Sequence, residues 1–206
     1  MKGFILKSRI VMNNKKHDKE LKIHTTGRDD YKADAYHHPY EPTPYVVLER
    51  LVSSGFLTKD NVVVDYGCGK GRVDFFLASK IGCKTIGIEY DRRIYESAME
   101  NKKTYSGKQK PDFLCISAEE YRIEEADCFY FFNPFSVEIL CSVIGKIITS
   151  YYENPRKVRL FFYYPAKEYI SYLMTKEEIC FVTEIDCGDL FSENNSRERI
   201  MVFELG

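Results

Sequence analysis

The stretch VVVDYGCGKGRVDFF, Val62 to Phe76, sets a continuous β-branched run directly against a turn with glycine at positions 67, 69 and 71. Val62, Val63 and Val64 show no polar alternation, so they read as a strand buried on both faces, the habit of a parallel sheet. Parallel strands need crossover connections, which commits the chain to an α/β fold. Val73, Phe76, Leu77 and Ile81 recur at helical spacing after the turn, and Gly82 ends that helix. In an open α/β sheet a ligand lies beyond the carboxyl ends of the strands, where the strand order reverses. The first strand-to-helix turn lies there, and its glycines permit positive φ and close approach of a ligand to the backbone.

The alternation continues downstream. Lys84 to Glu89 predicts a second strand, Asp91 caps a helix carrying Ile94, Ala98 and Met99, and Asp112 to Ser117 predicts a third strand. Asp127 to Phe132 is a fourth, followed by a helix from Val137 to Ile148; Val158 to Tyr164 is a fifth, ended by Pro165 ahead of a short helix with Tyr169, Tyr172 and Leu173. Ile179 to Asp186 and Arg197 to Leu205 are strand-like runs joined by CGDLFSENNS without a helix between them. They predict an antiparallel hairpin at the sheet's end. The expected fold is α/β, a doubly wound seven-stranded sheet, mostly parallel, with a C-terminal antiparallel β-hairpin.

Upstream, residues 1–40 read as polar and irregular, and the stretch from His24 to Pro44 ends in three prolines. The expected division is an N-terminal arm or lid over residues 1–42 and one domain over 43–206. Thr43 followed by Pro44 predicts an N-cap and first helical position, with Val47, Leu48, Leu51 and Val52 on one face of the helix that follows.

A formal charge of −1, from 30 basic and 31 acidic residues, provides no global field toward nucleic acid or an anionic membrane. The apolar part of the first twenty residues is short and interrupted by Lys7 and Arg9, so neither a signal peptide nor a membrane span is expected and cytoplasm is the default. The seven cysteines, 68, 83, 115, 128, 141, 180 and 187, form no CxxC pair and no zinc-spaced cluster. They are expected to be reduced, buried hydrophobes, with no metal site.

The glycine turn is not a dinucleotide fingerprint, because Arg72 stands where G-x-G-x-x-G needs its last glycine. Nor is it a P-loop, since Gly71 follows Lys70 where Ser or Thr is required. Asp65, two residues before the first glycine, opposes a pyrophosphate and suits a ligand carrying positive charge.

VVVDYGCGKGR, with Glu89 at the end of the next strand and the terminal hairpin, resembles the first motif and element order of class I S-adenosylmethionine-dependent methyltransferases over roughly residues 43–205. The resemblance implies a Rossmann-like fold and S-adenosyl-L-methionine as cofactor. It implies that Gly67, Cys68, Gly69 and Gly71 form the loop beneath the methionine part. Asp65 would fix that loop or accept from the ammonium group. Glu89 would accept both ribose hydroxyls, and Tyr90 would cover adenine. The segment ISAEEY then supplies the adenine contacts, from Ser117 or Glu119 with the backbone at Ala118.

FFNPFS, with Asn133, Pro134 and Phe135, resembles the N-P-P-Y/F signature of amino-group methyltransferases with one proline missing. That resemblance implies that Asn133 accepts from the target amine and that Phe135 lies against the substrate. YEPTP resembles the entry segment of certain small non-SET protein-lysine methyltransferases, which implies that Tyr40 and Thr43 help to enclose the cofactor. His37 and His38 precede it and read as solvent-exposed. The expected activity is methyl transfer to an amine nitrogen, protein lysine ahead of a nucleobase amino group. A non-catalytic cofactor-binding module with the same fold is the alternative of a different class. The acceptor and the oligomeric state stay open.

Overall fold

The computed structural model describes residues 2–29, 38, 40–192 and 195–206, with side chains from residue 9 onward; His37 lies outside the described residues. Seven strands form one sheet: β1 (Val62–Tyr66), β2 (Lys84–Glu89), β3 (Asp112–Cys115), β4 (Cys128–Phe131), β5 (Val158–Tyr163), β6 (Ile179–Asp186) and β7 (Arg199–Leu205). Their order is β3-β2-β1-β4-β5-β7-β6. β1 pairs in parallel with both β2 and β4, and β7 runs antiparallel to β5 and β6. The doubly wound sheet with its terminal hairpin is therefore as expected from the sequence. The chain leaves β1 toward β2 and β3, then crosses to β4 on the other side, so the carboxyl ends of β1 and β4 form the switch point.

Six helices cover the two faces: α1 (Lys2–Leu21), α2 (Tyr45–Ser53), α3 (Arg72–Lys80), α4 (Arg92–Thr104), α5 (Val137–Glu153) and α6 (Lys167–Leu173). The period-two geometry of β1 sends Val63 to one face, against Leu48, Phe76 and Ala98 of α2, α3 and α4. Val64 and Tyr66 go to the other, against Leu140, Ile144 and Tyr169 of α5 and α6. Phe131 stacks between Tyr66 at 5.2 Å and Phe162 at 4.5 Å, so aromatic rings fill the volume that tryptophan, absent from this chain, often takes.

Three expectations are corrected. Residues 2–21 are helical, not irregular. The inward residues near the end of α1 include His17 and Asp18: His17 packs on the Tyr45 ring at 4.7 Å and edge-on to Phe76 at 5.5 Å, while its Nε2 meets Glu49 at 2.9 Å. With these polar residues turned inward ahead of the buried Leu21, the apolar period is interrupted. Helix α2 begins at Tyr45 with Pro44 as its N-cap, and the Thr43 hydroxyl instead bonds the Tyr130 hydroxyl at 3.0 Å. Finally, Cys180 is exposed on edge strand β6 and Cys115 and Cys141 are half-buried; all seven thiols are free.

Candidate active site

Beyond β1 the backbone turns sharply. The Gly67 and Cys68 amides both donate to the Ile88 carbonyl, at 2.9 and 3.0 Å, which ties the turn to the end of β2. Gly67 and Gly69 hold φ of 75° and 59°, a region that side chains rarely adopt. Space is equally limiting: a Cβ on Gly67 would lie 2.4 Å from Pro134 Cβ, and one on Gly69 would lie 2.1 Å from the Tyr40 ring. Glu89 closes the arrangement, its carboxylate accepting from the Gly69 amide at 2.9 Å and the Asp91 amide at 2.8 Å.

These elements enclose a cavity at the switch point. Of the residues singled out from the sequence, Tyr40, Thr43, Asp65, Gly67, Cys68, Glu89, Tyr90, Ser117, Ala118, Pro134 and Phe135 line it. Gly69, Gly71, Glu119 and Asn133 do not. Gly71 is the left-handed N-cap of α3 and makes room for the Phe113 and Phe75 rings. Glu119 is exposed, whereas the half-buried Ser117 borders the cavity.

The segment ahead of α2 lies over the opening. Tyr40 pairs with Asp29 in an antiparallel bridge and donates from its hydroxyl to the Thr25 carbonyl at 2.6 Å. Asp29 receives a two-pronged bond from Arg93, at 2.6 and 2.8 Å. His38 reaches across to the other wall: its amide donates to the Pro134 carbonyl at 3.3 Å and its Nδ1 donates to the Asn133 carbonyl at 2.8 Å.

Arg72 anchors this cover and was not assigned from the sequence. It is 2% exposed, donates to Thr25 Oγ1 at 2.7 Å and the Thr43 carbonyl at 3.2 Å, lies over the Tyr45 ring at 4.6 Å and faces Asp18 at 3.9 Å. Asp18 in turn accepts from the Thr25 amide and hydroxyl and from the Tyr45 hydroxyl, at 2.7 to 2.8 Å. The signal for it was an arginine at the first position of a helix whose next five residues are apolar but for Asp74, legible as unusual but not as a link to residues 18, 25 and 43.

Asn133 does not line the switch-point cavity but borders the neighbouring space beyond Phe132. Its Nδ2 donates to the Tyr164 carbonyl at 2.7 Å and its Oδ1 accepts from the Ala166 amide at 2.9 Å, bracketing the turn after β5. Asn133 and Tyr164 both hold positive φ, 42° and 49°. Two such backbones at adjacent strand ends are strained geometry of the kind concentrated at functional sites.

Asp65 and Asp74 form a buried carboxyl pair under the turn, 4% and 1% exposed. Neither Asp74 oxygen meets an N–H or O–H donor among the described residues, so the pair's bond needs a retained proton. Burial pushes the Asp65 carboxyl up to about 7, opposed by its bond with Asp74 and aided by the charge of Glu89. Burial, then the Asp65 charge, drives Asp74 well above the usual carboxylate range. Both acids hold protons more tightly folded than unfolded. Their contribution to stability is therefore full below the unfolded value of about 4 and is lost as pH rises through about 7 and beyond. Asp74→Asn keeps a donor toward Asp65 and removes one ionisation. It should raise the melting temperature at pH 8 by on the order of 5 °C, with the gain vanishing near pH 4; thermal melts across that range measure it.

No protein-family model matches this chain. A histone-lysine N-methyltransferase of Dictyostelium discoideum, H3 lysine-79 specific, is 30% identical over 87 residues, covering 42% of this chain and 5% of that protein. A protein-lysine N-methyltransferase of Saccharolobus islandicus is 36% identical over 69 residues, covering 32% of this chain and 43% of the relative. The chain thus spans less than half the length of these curated relatives. Among solved structures, the RNA methyltransferase of Salinibacter ruber in complex with S-adenosyl-L-homocysteine superposes with a TM-score of 0.53 at 20% identity, covering 80% of this chain and 92% of that one. The magnesium protoporphyrin IX methyltransferase of Synechocystis with bound S-adenosylmethionine superposes with a TM-score of 0.58 at 16% identity, covering 79% and 77%. Likeness at these identities is likeness of fold.

Proposed function

We propose that this chain, which carries the fold of the class I S-adenosylmethionine-dependent methyltransferases, binds S-adenosylmethionine at the switch point and transfers its methyl group to an amine nitrogen, a protein lysine in preference to a nucleobase. The observation that carries the reading is the glycine turn latched by Glu89 over the buried acid Asp65, at the open end of β1. The residues present suit the cofactor. Gly67 has no side chain where a ligand would pass, and a buried carboxylate suits a ligand ammonium. Glu89 spends two of a carboxylate's roughly four acceptor positions on amides and keeps capacity for hydroxyls. Two curated relatives that act on lysine support the acceptor class, and the near-neutral chain offers little to a phosphate backbone.

In this reading Glu89 holds the ribose, Tyr90 and Ser117 border the adenine, and Asp65 faces the methionine part. The bound cofactor supplies an electrophilic methyl on a sulfonium. The chain's own task is alignment and exclusion of water. Tyr130, Phe132, Pro134 and Phe135 form the wall on the β4 side, and His38 with residues 40–44, pinned through His38 and Arg72, cover the opening. An amine attacks only when neutral, so the acceptor must lose a proton before transfer. Asn133 acts by holding the β4 and β5 turns together, with its carbonyl fastening the cover through His38.

Incubating the chain with S-adenosylmethionine labelled in its methyl group and a methylation-depleted cell extract, then separating protein, RNA, DNA and small molecules, tests the acceptor. Label is expected in protein, as methyl-lysine. Label confined to RNA or DNA would transfer the assignment to a nucleobase.

A further inference from the structure

On the far side of Phe132 a second cavity opens, and His38, Glu41 and Phe132 line both. Its walls include the rings of Tyr163 and Phe191, with Phe132 and Tyr163 packed at 4.7 Å. The Tyr164 ring also lines it and carries the Arg197 guanidinium on one face, at 4.2 Å. Two carboxylates line this space. Glu198, half-buried, accepts from the Tyr163 hydroxyl at 2.7 Å, and Glu41 lies at 3.8 Å from Arg28, an exposed pair. Burial first, and then the Glu41 charge, raise Glu198, while the Tyr163 bond and Arg197 oppose the rise. Asn133 and Tyr164, with their positive φ, line this second cavity and not the first.

We infer that this second cavity receives the acceptor side chain, a cationic alkylamine of a protein, and that Glu198 with Glu41 are specificity-determining residues that select its charge while Phe132, Tyr163 and Phe191 pack its methylene stem. The inference rests on the methyltransferase reading above and goes beyond it by assigning residues outside the cofactor cavity. A lysine side chain is an apolar stem ending in a point charge, and a sleeve of rings leading to carboxylates matches both parts. Arg28 also lines the cavity, paired with Glu41, and Glu198 then leaves the charged lining with an excess of negative charge, which disfavours the phosphates of a nucleic acid. The shared wall at Phe132 then connects the amine's seat to the cavity that holds the methyl donor.

The test uses the full chain with poly-L-lysine as acceptor probe and an unstructured RNA oligonucleotide as the rival. Glu198→Gln, nearly isosteric, should raise KM for poly-L-lysine about tenfold, the loss of one charge-assisted contact, with kcat within about twofold of the parent. Affinity for S-adenosylhomocysteine, measured by titration calorimetry, should not change. Glu198→Asp should recover part of the loss, which a purely structural role at this position would not predict. An unaltered KM in a folded Glu198→Gln variant overturns the inference. So does transfer to the RNA, or no transfer to poly-L-lysine, by a chain that binds S-adenosylhomocysteine. If the parent chain binds no S-adenosylhomocysteine, the methyltransferase reading itself fails, so the two failures are distinguishable.

Discussion

Arg72→Leu should destabilise the chain by about 3–5 kcal/mol, the cost of stranding a buried charge whose partner has been removed. Asp18 is 5% exposed and would keep its bonds to Thr25 and Tyr45 but lose the Arg72 guanidinium as ion-pair partner, while the Thr43 carbonyl and the Thr25 hydroxyl would lose a donor. The consequence should extend beyond stability, because Arg72 fastens the two segments that flank the cover of the cofactor cavity. Denaturant titration gives the free energy. Limited proteolysis should then cut first between residues 22 and 44, and a variant that is destabilised by less than about 1 kcal/mol would mean that the Arg72 network is not what holds the cover.

Glu89→Ala should weaken S-adenosylhomocysteine binding by tenfold to a hundredfold, from the loss of about 1.5–3 kcal/mol of charge-assisted bonding. The structure makes the expectation firmer than the ribose contact alone would. The same carboxylate latches the Gly69 and Asp91 amides, so the substitution removes a ligand contact and loosens the turn that shapes the rest of the site. Glu89→Gln should recover only part of the loss, because its carbonyl oxygen can accept from one of the two backbone amides while its NH₂ faces the other, donor to donor. Fold integrity is checked by circular dichroism and affinity by calorimetry.

What was legible in the sequence was whatever depends on local pattern. β2, from Lys84 to Glu89, and β6, from Ile179 to Asp186, have the bounds that their apolar runs predict, and Asp91 caps α4 through the Arg93 amide at 2.9 Å. Only the missing helix between β6 and β7 was needed to place the antiparallel pair. The errors fall where polar residues are buried or where partners are far apart in sequence. Helix α1 buries His17 and Asp18 beside Leu21, so polar residues interrupt the apolar period there. The intramolecular partners of the Asn133 amide, Tyr164 and Ala166, lie 31 and 33 residues away and were beyond the reach of local pattern. Arg72 stood inside the glycine motif, but its contacts at Asp18, Thr25 and Thr43 lie 29 to 54 residues upstream, out of reach of local pattern. The acid pair of Asp65 and Asp74 shows the same limit: helical spacing places Asp74 on α3, and only the tertiary packing puts its carboxyl beside Asp65.

The central claim is that the cavity under the glycine turn is a cofactor site, and isothermal titration of the parent chain with S-adenosylhomocysteine tests it most directly. One site per chain is expected, with affinity falling tenfold or more in Glu89→Ala and unchanged in Glu198→Gln. A folded parent chain that binds neither S-adenosylhomocysteine nor S-adenosylmethionine would contradict it.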